Sequence, residues 1–360
     1  MNIWIGYASC GSGHKKAAEA ILDVFDNKQD VFYFNFLDYG ASFIKIVYEC
    51  GYRIVAGYFP PLWQAIFNIY SLKPFRSLLS LVHLIIFRKF ISFIIESNPE
   101  TVISTHFFLC GVISLLKQRN LIDTKLITVI TDFEVHPLWI NKYTDYYVVA
   151  SRETSLSLEA GCHIEKDKIK VWGMPLRRGF FTVDESYLEN EYEKPKGLFT
   201  LFLFSSDLGI GPLKRVIKEF YKYCGLLVIY GRNATVKNFI DSLKDAKYLL
   251  SFDYKEEIWE LMHMCDLVIT KAGGLSVSEC IAERKPMILM HSYRGQEEGN
   301  VRFVTENGLG FRPKTHGELV RIVNEAISNH KRISKMKDNL NKVALGDCAL
   351  RIKELALSIQ

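Results

Sequence analysis

Three groups of residues in this chain have the types and spacing to do chemistry. The first is His14, which closes the glycine loop Gly11-Ser12-Gly13. An imidazole at the mouth of such a loop can take up a proton near neutral pH. The second is Thr131-Asp132-Phe-Glu-Val-His136-Pro-Leu-Trp139, where Asp132 ends an apolar run and His136 lies just beyond it. His106 follows another apolar run and can line the same place. The third is Lys271-Ala-Gly273-Gly274-Leu275-Ser276-Val-Ser-Glu279, followed by Gly295-Gln296-Glu297-Glu-Gly-Asn300. A glycine turn that opens a helix presents free N–H groups and the positive end of the helix dipole, which suits a phosphate. Glu279, one turn in, is placed to accept hydrogen bonds from the vicinal hydroxyls of a ribose. A Gly-Gly pair alone would equally serve a plain strand–helix turn. The second polar loop gives it weight, because loops after successive parallel strands converge on one crevice.

These residues need a frame. Apolar runs of strand length cover 2–9, 31–37, 101–105, 126–131 and 146–150, with helical patterns over 15–25 and near 108–119. Such βα alternation makes a parallel sheet. A second series starts with 199–204 and continues through 226–230, 248–252, 266–270, 286–289 and 308–311, with helices at 254–264, at 275–283 and from 316 onward. Ser205-Ser206-Asp-Leu-Gly209-Ile-Gly211 is a further phosphate-type loop before a helix, and Gly231-Arg232-Asn233 follows the strand at 226–230. The reading is an α/β chain of two doubly wound domains. The expected division is an N-terminal domain over 1–190, a C-terminal domain over 191–340 whose glycine loops suit a diphosphate, and a last helix over 341–360.

At 360 residues the chain suits two domains of ordinary size, and 49% hydrophobic residues are enough to fill two cores. The net charge of +5 is too modest to imply nucleic acid as a partner. Eight cysteines contain no C-x-x-C pair and no zinc-like spacing, so free buried thiols in a reducing compartment are expected, with no metal. The N-terminus begins as a strand and lacks the basic start of a signal peptide, which places the protein in the cytoplasm. Between Glu49 and Glu96 there is no acidic residue, but there are Arg53, Lys73, Arg76, Arg88 and Lys89 among many aromatics. The uncharged run Ile54–Leu72 is interrupted by Pro60-Pro61, Gln64 and Asn68, so it does not read as a membrane span. An apolar, aromatic and purely basic segment suits the surface of an anionic bilayer, and the same helices can pack one face inward.

The motif Lys271–Glu279 with Gly295–Asn300 resembles the nucleotide-sugar half of glycosyltransferase family 28. That family includes bacterial and plant enzymes that glycosylate diacylglycerol and the lipid-linked GlcNAc transferase of peptidoglycan synthesis. Gly11-Ser-Gly-His14 with Ala17-Ala-Glu-Ala-Ile21, and Thr131–Trp139, are similar to the diacylglycerol branch, the latter to its Thr-Asp-x-x-x-His-Pro-x-Trp signature. Val171-Trp-Gly-Met-Pro-Leu-Arg177 matches the family's segment at the end of the first domain.

The resemblance implies a GT-B architecture, two Rossmann-like domains facing a central cleft. It implies an inverting UDP-sugar-dependent hexosyltransferase without metal or cofactor, acting on diacylglycerol or a related lipid at the inner face of the cell membrane. His14 or Asp132 would be the base, and Gly13, His106, His136 and Trp139 would face the acceptor. Ser205, Ser206, Gly209, Gly231, Arg232, Lys271, Gly273, Gly274, Leu275, Ser276, Glu279, Gln296, Glu297 and Asn300 would hold the donor. Ser205-Ser206 stand where the family usually has consecutive glycines, and Arg294 where the glycolipid enzymes usually have proline. The alternatives on the same fold are a peptidoglycan-type GlcNAc transferase and a UDP-sugar epimerase.

Overall fold

The computed structural model describes residues 2–70, 72–182, 188, 191, 192, 197–204, 210–231, 233–291 and 297–359. The chain divides into two compact units. The first is Met1–Arg178 with Tyr293–Gly299 and Leu345–Gln360, and the second is Gly179–Ser292 with Asn300–Ala344. The division falls at Arg178–Gly179, ahead of the boundary after residue 190 expected from the sequence. Gly179 lies directly against the Trp259 indole, and Phe180 meets that ring at 5.6 Å, so these residues already pack with the second unit.

The first unit is built on a parallel sheet of β1 (Ile3–Tyr7), β2 (Val31–Asn35), β3 (Thr101–Ser104), β4 (Lys125–Val129), β5 (Tyr146–Val149) and β6 (Ile169–Val171). The strand order is β2-β1-β3-β4-β5-β6. Every residue of β1 is buried because both faces of the sheet are covered. Side chains alternate across the strand, so Trp4 enters one core while Ile3, Ile5 and Tyr7 enter the other. The second core is completed by the last helix, Cys348–Ser358, through Cys348, Ala349, Ile352 and Ala356. The 348-352-356 spacing is one face of a helix.

The helices of this unit are α1 (Ser12–Asp23), α2 (Ser42–Tyr58), α3 (Pro60–Tyr70), α4 (Lys73–Ile86), α5 (Arg88–Ser97) and α6 (Phe107–Gln118), followed by a short helix at Arg152–Leu156. α1 starts three residues earlier than its apolar pattern implies. Gly11 precedes it at φ 95°, a left-handed conformation that costs glycine little, and the turn is complete by Ser12. His14 is therefore inside the first helical turn rather than on the loop. The chain breaks between α2 and α3 at Phe59-Pro60, as a proline at a helix start requires. Among the described residues no single helix is long and apolar enough to cross a membrane. One pair, Leu78–Ile86 with Arg88–Ser97, passes by length and composition but is bent by 84°. α5 of that pair is anchored in the sheet's core by Phe90 and Ile94.

The second unit repeats the plan. Its strands are β7 (Thr200–Phe204), β8 (Gly225–Ile229), β9 (Tyr248–Phe252), β10 (Leu267–Lys271), β11 (Met287–His291) and β12 (Gly310–Phe311), all parallel, in the order β12-β11-β10-β7-β8-β9. The helix expected at 254–264 occupies only Ile258–Met264. Among the described residues, seven cysteines are free thiols, five of them buried.

Candidate active site

In an open parallel sheet, ligands bind outside the carboxyl ends of the strands where the strand order reverses. In the first unit that point lies between β1 and β3. The segment after β1 carries His14, the segment after β3 carries Thr105 and His106, and the segment after the neighbouring β4 carries Thr131 and Asp132. Topology thus gathers residues that are about a hundred positions apart in sequence.

His14 is buried, with 8% of its surface exposed. Its Nδ1 lies 2.7 Å from the Thr105 carbonyl oxygen and 3.0 Å from Thr131 Oγ1. A carbonyl only accepts, so Nδ1 carries the proton and donates it. Nε2 is then the basic nitrogen of a neutral ring, the tautomer being assigned from these partners. The Thr105 hydroxyl in turn donates to the His14 carbonyl at 2.9 Å, which ties α1 to the end of β3 twice. Burial pushes the His14 imidazolium down to about 4, partly opposed by the Thr105 carbonyl, so the ring is neutral at physiological pH.

His106 packs edge-on against His14, with ring centroids 4.5 Å apart. Its Nδ1 accepts from the Phe108 N–H at 3.2 Å and so caps α6. Burial, with His14 and His83 nearby, holds it well below the ordinary histidine range. Trp139 is buried and approaches His14 at 6.2 Å. His136 is half-buried, and its Nδ1 accepts from the Leu138 N–H at 3.2 Å, which starts the short turn Pro137–Trp139. Asp132 is half-buried beside the buried Thr131. Gly13 sits in the first turn of α1. His14, His106 and Trp139 therefore form one cluster, and Asp132 and His136 lie on the segment that joins Thr131 to Trp139.

In the second unit the strand order reverses between β7 and β10. Lys271 ends β10, Gly273 is the residue before the helix Gly274–Ala282, and no side chain caps that helix start. Gly273 has no side chain to cap the first N–H groups of that helix, and a helix start of this kind can receive an anion. Glu279 is 4% exposed. Asn300, fully buried in the helix Glu298–Glu306, donates from Nδ2 to the Ala272 carbonyl at 2.9 Å. Glu297 is buried as well. Gly231 turns the chain at φ 67°, and Asn233 then caps the helix Ala234–Asp241 through Oδ1. Ser205, Ser206, Gly209, Arg232 and Gln296 lie outside the described residues. Among the described residues, no three His, Cys, Asp or Glu side chains are grouped to hold a metal ion.

Two features were not singled out in the sequence. One is Thr105 as the partner of His14 Nδ1, which carries no sequence signal because the pair is 91 residues apart. The other is the outer face of α4, where Leu78, Leu81, Val82 and Ile85 are all exposed, Ile85 by 76%. Their i, i+3, i+4, i+7 spacing is a helix face, legible once the helix is recognised. Phe43, Ile46, Val47 and Ile54 on α2 and Leu62 and Ile69 on α3 are exposed too. So much uncovered aliphatic surface is uncommon on a water-facing protein and marks an interaction surface.

Comparison with known proteins agrees with this geometry. A family model described as monogalactosyldiacylglycerol (MGDG) synthase matches residues 14–176, and one described as glycosyl transferases group 1 matches residues 213–343. Monogalactosyldiacylglycerol synthase 2 of Arabidopsis thaliana is 28% identical over 95% of this chain and 77% of its own. The processive diacylglycerol beta-glucosyltransferase of Bacillus cereus is 26% identical over 98% of this chain and 92% of its own. MurG of Acinetobacter baumannii superposes with a TM-score of 0.63 over 99% of both chains at 12% identity, a likeness of fold. Two Rossmann-like domains make the GT-B fold, and the family models and named relatives make the protein a glycosyltransferase. Within that class the chain is similar, over nearly its whole length, to the diacylglycerol glycosyltransferases.

Proposed function

We propose that this enzyme transfers a hexose from a UDP-sugar to the free hydroxyl of diacylglycerol, with inversion at the anomeric carbon and without a metal. The observation that carries the reading is the state of His14, a neutral, buried imidazole whose proton is committed to Thr105 through Nδ1. Nε2 takes the proton of the acceptor hydroxyl as its oxygen attacks the anomeric carbon. The bond to the diphosphate oxygen breaks, and UDP leaves with the electron pair. Asp132 then acts on the acceptor or on its orientation rather than as the base, because it lies on a more open segment. Glu279 holds the ribose. The uncapped N–H groups at Gly274–Ser276 stabilise the diphosphate as its charge grows, which replaces the usual cation. Gln296, Glu297 and Asn300 address the sugar, and Ser205, Ser206, Gly209, Gly231 and Arg232 complete the donor site.

The exposed aliphatic faces of α2, α3 and α4 rest on the membrane that supplies the lipid, and Arg88 and Lys89 add attraction for anionic head groups. The names of the relatives support this acceptor over a peptidoglycan precursor, and an epimerase would leave that surface without a use. The test is UDP release from UDP-glucose, UDP-galactose and UDP-GlcNAc, each with and without anionic vesicles containing diacylglycerol. Release with one sugar that depends on diacylglycerol supports the reading. UDP-sugar turnover that needs no lipid points to the epimerase.

A further inference from the structure

The loop between β1 and α1 is pinned at both ends by side chains. At its far end His14 is tied to Thr105, through Nδ1 to the carbonyl and through its own carbonyl to the hydroxyl. At its near end Ser9 is tied to α2. The Ser9 hydroxyl donates to the Glu49 carboxylate, and its oxygen accepts from Asn35 Nδ2 at 2.8 Å. A serine hydroxyl has one proton to give, and this one goes to Glu49. Between the two pins Gly11 turns the chain at φ 95°, a backbone with few restraints of its own. Ser9 therefore sets the course of the loop into the first turn of α1, where His14 sits.

The tie belongs to a closed circuit. Asn35 ends β2, and its Nδ2 also reaches Asp38 Oδ1 at 3.2 Å, while its own Oδ1 accepts from the Leu37 N–H. Asp38 accepts in turn from Lys45 Nζ at 2.5 Å. Lys45 and Glu49 are one turn apart, so the circuit returns to a single face of α2. Two other faces of that helix do different work. Ile44 and Tyr48 pack against the core, and Phe43, Ile46 and Val47 stay exposed. Packing of α2 is thus served by Ile44 and Tyr48, and what the Glu49 carboxylate adds is a bond to the loop. Its charge is felt there: burial, with that carboxylate nearby, pushes the Cys10 thiol up to about 12. A bond from a hydroxyl to a carboxylate is strong and directional, which suits it to holding a loop in one course.

We infer that Glu49, through Ser9, positions the glycine loop and with it the His14 imidazole for proton transfer, an inference that rests on the reading of His14 as the base. Glu49 acts through another side chain and is a positioning residue. Its loss should lower turnover while leaving the affinity for the donor alone.

The test uses the full chain in two arms. In the first, steady-state kinetics with saturating diacylglycerol compare wild type with Glu49→Ala, Glu49→Gln, Ser9→Ala and Ser9→Ala/Glu49→Ala. Glu49→Ala should lower kcat by about tenfold or more, with KM for the UDP-sugar within about twofold. Glu49→Gln keeps an oxygen that accepts from Ser9 and should stay within about threefold of wild type. The double variant should be no worse than Glu49→Ala, because both changes break one bond. Lys45→Ala cuts α2 from Asp38 but spares the Ser9–Glu49 bond, so kcat should stay within about twofold. Unchanged kcat in Glu49→Ala, losses that add in the double variant, no rescue by Gln, or an equal loss in Lys45→Ala each overturns the inference and leaves the glycolipid reading intact. In the second arm, hydrogen exchange of the amides of residues 8–14 is followed by mass spectrometry without substrate. Exchange should be about tenfold faster in Glu49→Ala and close to wild type in Glu49→Gln, with α6 unchanged as a check on folding. If wild type transfers no sugar to diacylglycerol, the reading of the reaction fails and this arm still decides whether Glu49 holds the loop. Unchanged exchange in Glu49→Ala overturns the inference.

Discussion

The Thr105 carbonyl oxygen accepts a hydrogen bond from His14 Nδ1 at 2.7 Å, joining the first turn of α1 to the end of β3. This contact fixes which nitrogen carries the proton and leaves Nε2 as the basic nitrogen, the proposed acceptor of the lipid's proton. His14→Ala should lower turnover by about 10²- to 10⁴-fold, the usual worth of a positioned base, with affinity for UDP unchanged. Asp132→Asn should cost less than His14→Ala. Thr131→Val removes only the second acceptor near Nδ1, about 1 kcal/mol, so a loss of several-fold is expected. Steady-state kinetics of the three variants under saturating donor check the order, and near-wild-type turnover of His14→Ala would remove it from the reaction.

Activity should hold its plateau well into the acidic range. The base must be neutral, and burial has pushed His14 down to about 4. The rate should therefore be flat from near pH 8 down through the ordinary histidine range and fall only toward that value. A pH profile measured with the lipid acceptor reads this limb, and an inflection at the ordinary histidine value would contradict it.

Stability should move with pH in the same range. His14 and His83 are both pushed from 6.5 down to about 4, and His106 is held well below its ordinary value. In the unfolded chain these rings take up protons below about pH 6.5, whereas in the folded chain they do not until far lower. The unfolded state thus binds more protons between those values, and stability falls as pH is lowered through the window. Each ring contributes a slope of roughly 1.4 kcal/mol per pH unit at most. Urea melts at pH 7 and pH 5 check this, and an unchanged midpoint would mean that the rings are not buried as described.

Membrane attachment should depend on the outer face of α4. Ile85 is 76% exposed and Leu81 shares its face. Ile85→Glu removes an aliphatic group worth roughly 1.5–3 kcal/mol when buried and adds a charge repelled by anionic lipid. Co-sedimentation with anionic vesicles should fall by about tenfold or more while the melting temperature stays put.

Asn300 ties its own helix to the turn after β10. Its Nδ2 donates to the Ala272 carbonyl at 2.9 Å, and Asn300 is fully buried. Asn300→Ala strands that carbonyl, at a cost of about 1–3 kcal/mol, and releases the loop from the glycine turn. UDP-sugar affinity measured by calorimetry should drop even where unfolding is excluded.

The sequence by itself determined the repeating βα pattern, the two glycine turns that open helices and the composition of the 42–97 segment. These depend on neighbours a few residues apart: strand periodicity, the helix repeat, and the φ freedom of Gly11 or Gly231. The donor motif was legible for that reason, since Lys271 to Glu279 is one strand end, one turn and one helix. What only the tertiary structure decided is what crosses the sheet. The His14 ring is fixed in one tautomer because β1 and β3 are neighbours, which puts the Thr105 carbonyl within 2.7 Å across 91 residues. No local rule encodes that distance. The last helix joined the first domain because Cys348, Ala349, Ile352 and Ala356 fill the core beside β1, whereas composition alone would let it pack anywhere. Exposure divided the 42–97 segment in the same way. Phe90 and Ile94 went into the core, whereas Leu78, Leu81, Val82 and Ile85 stayed exposed.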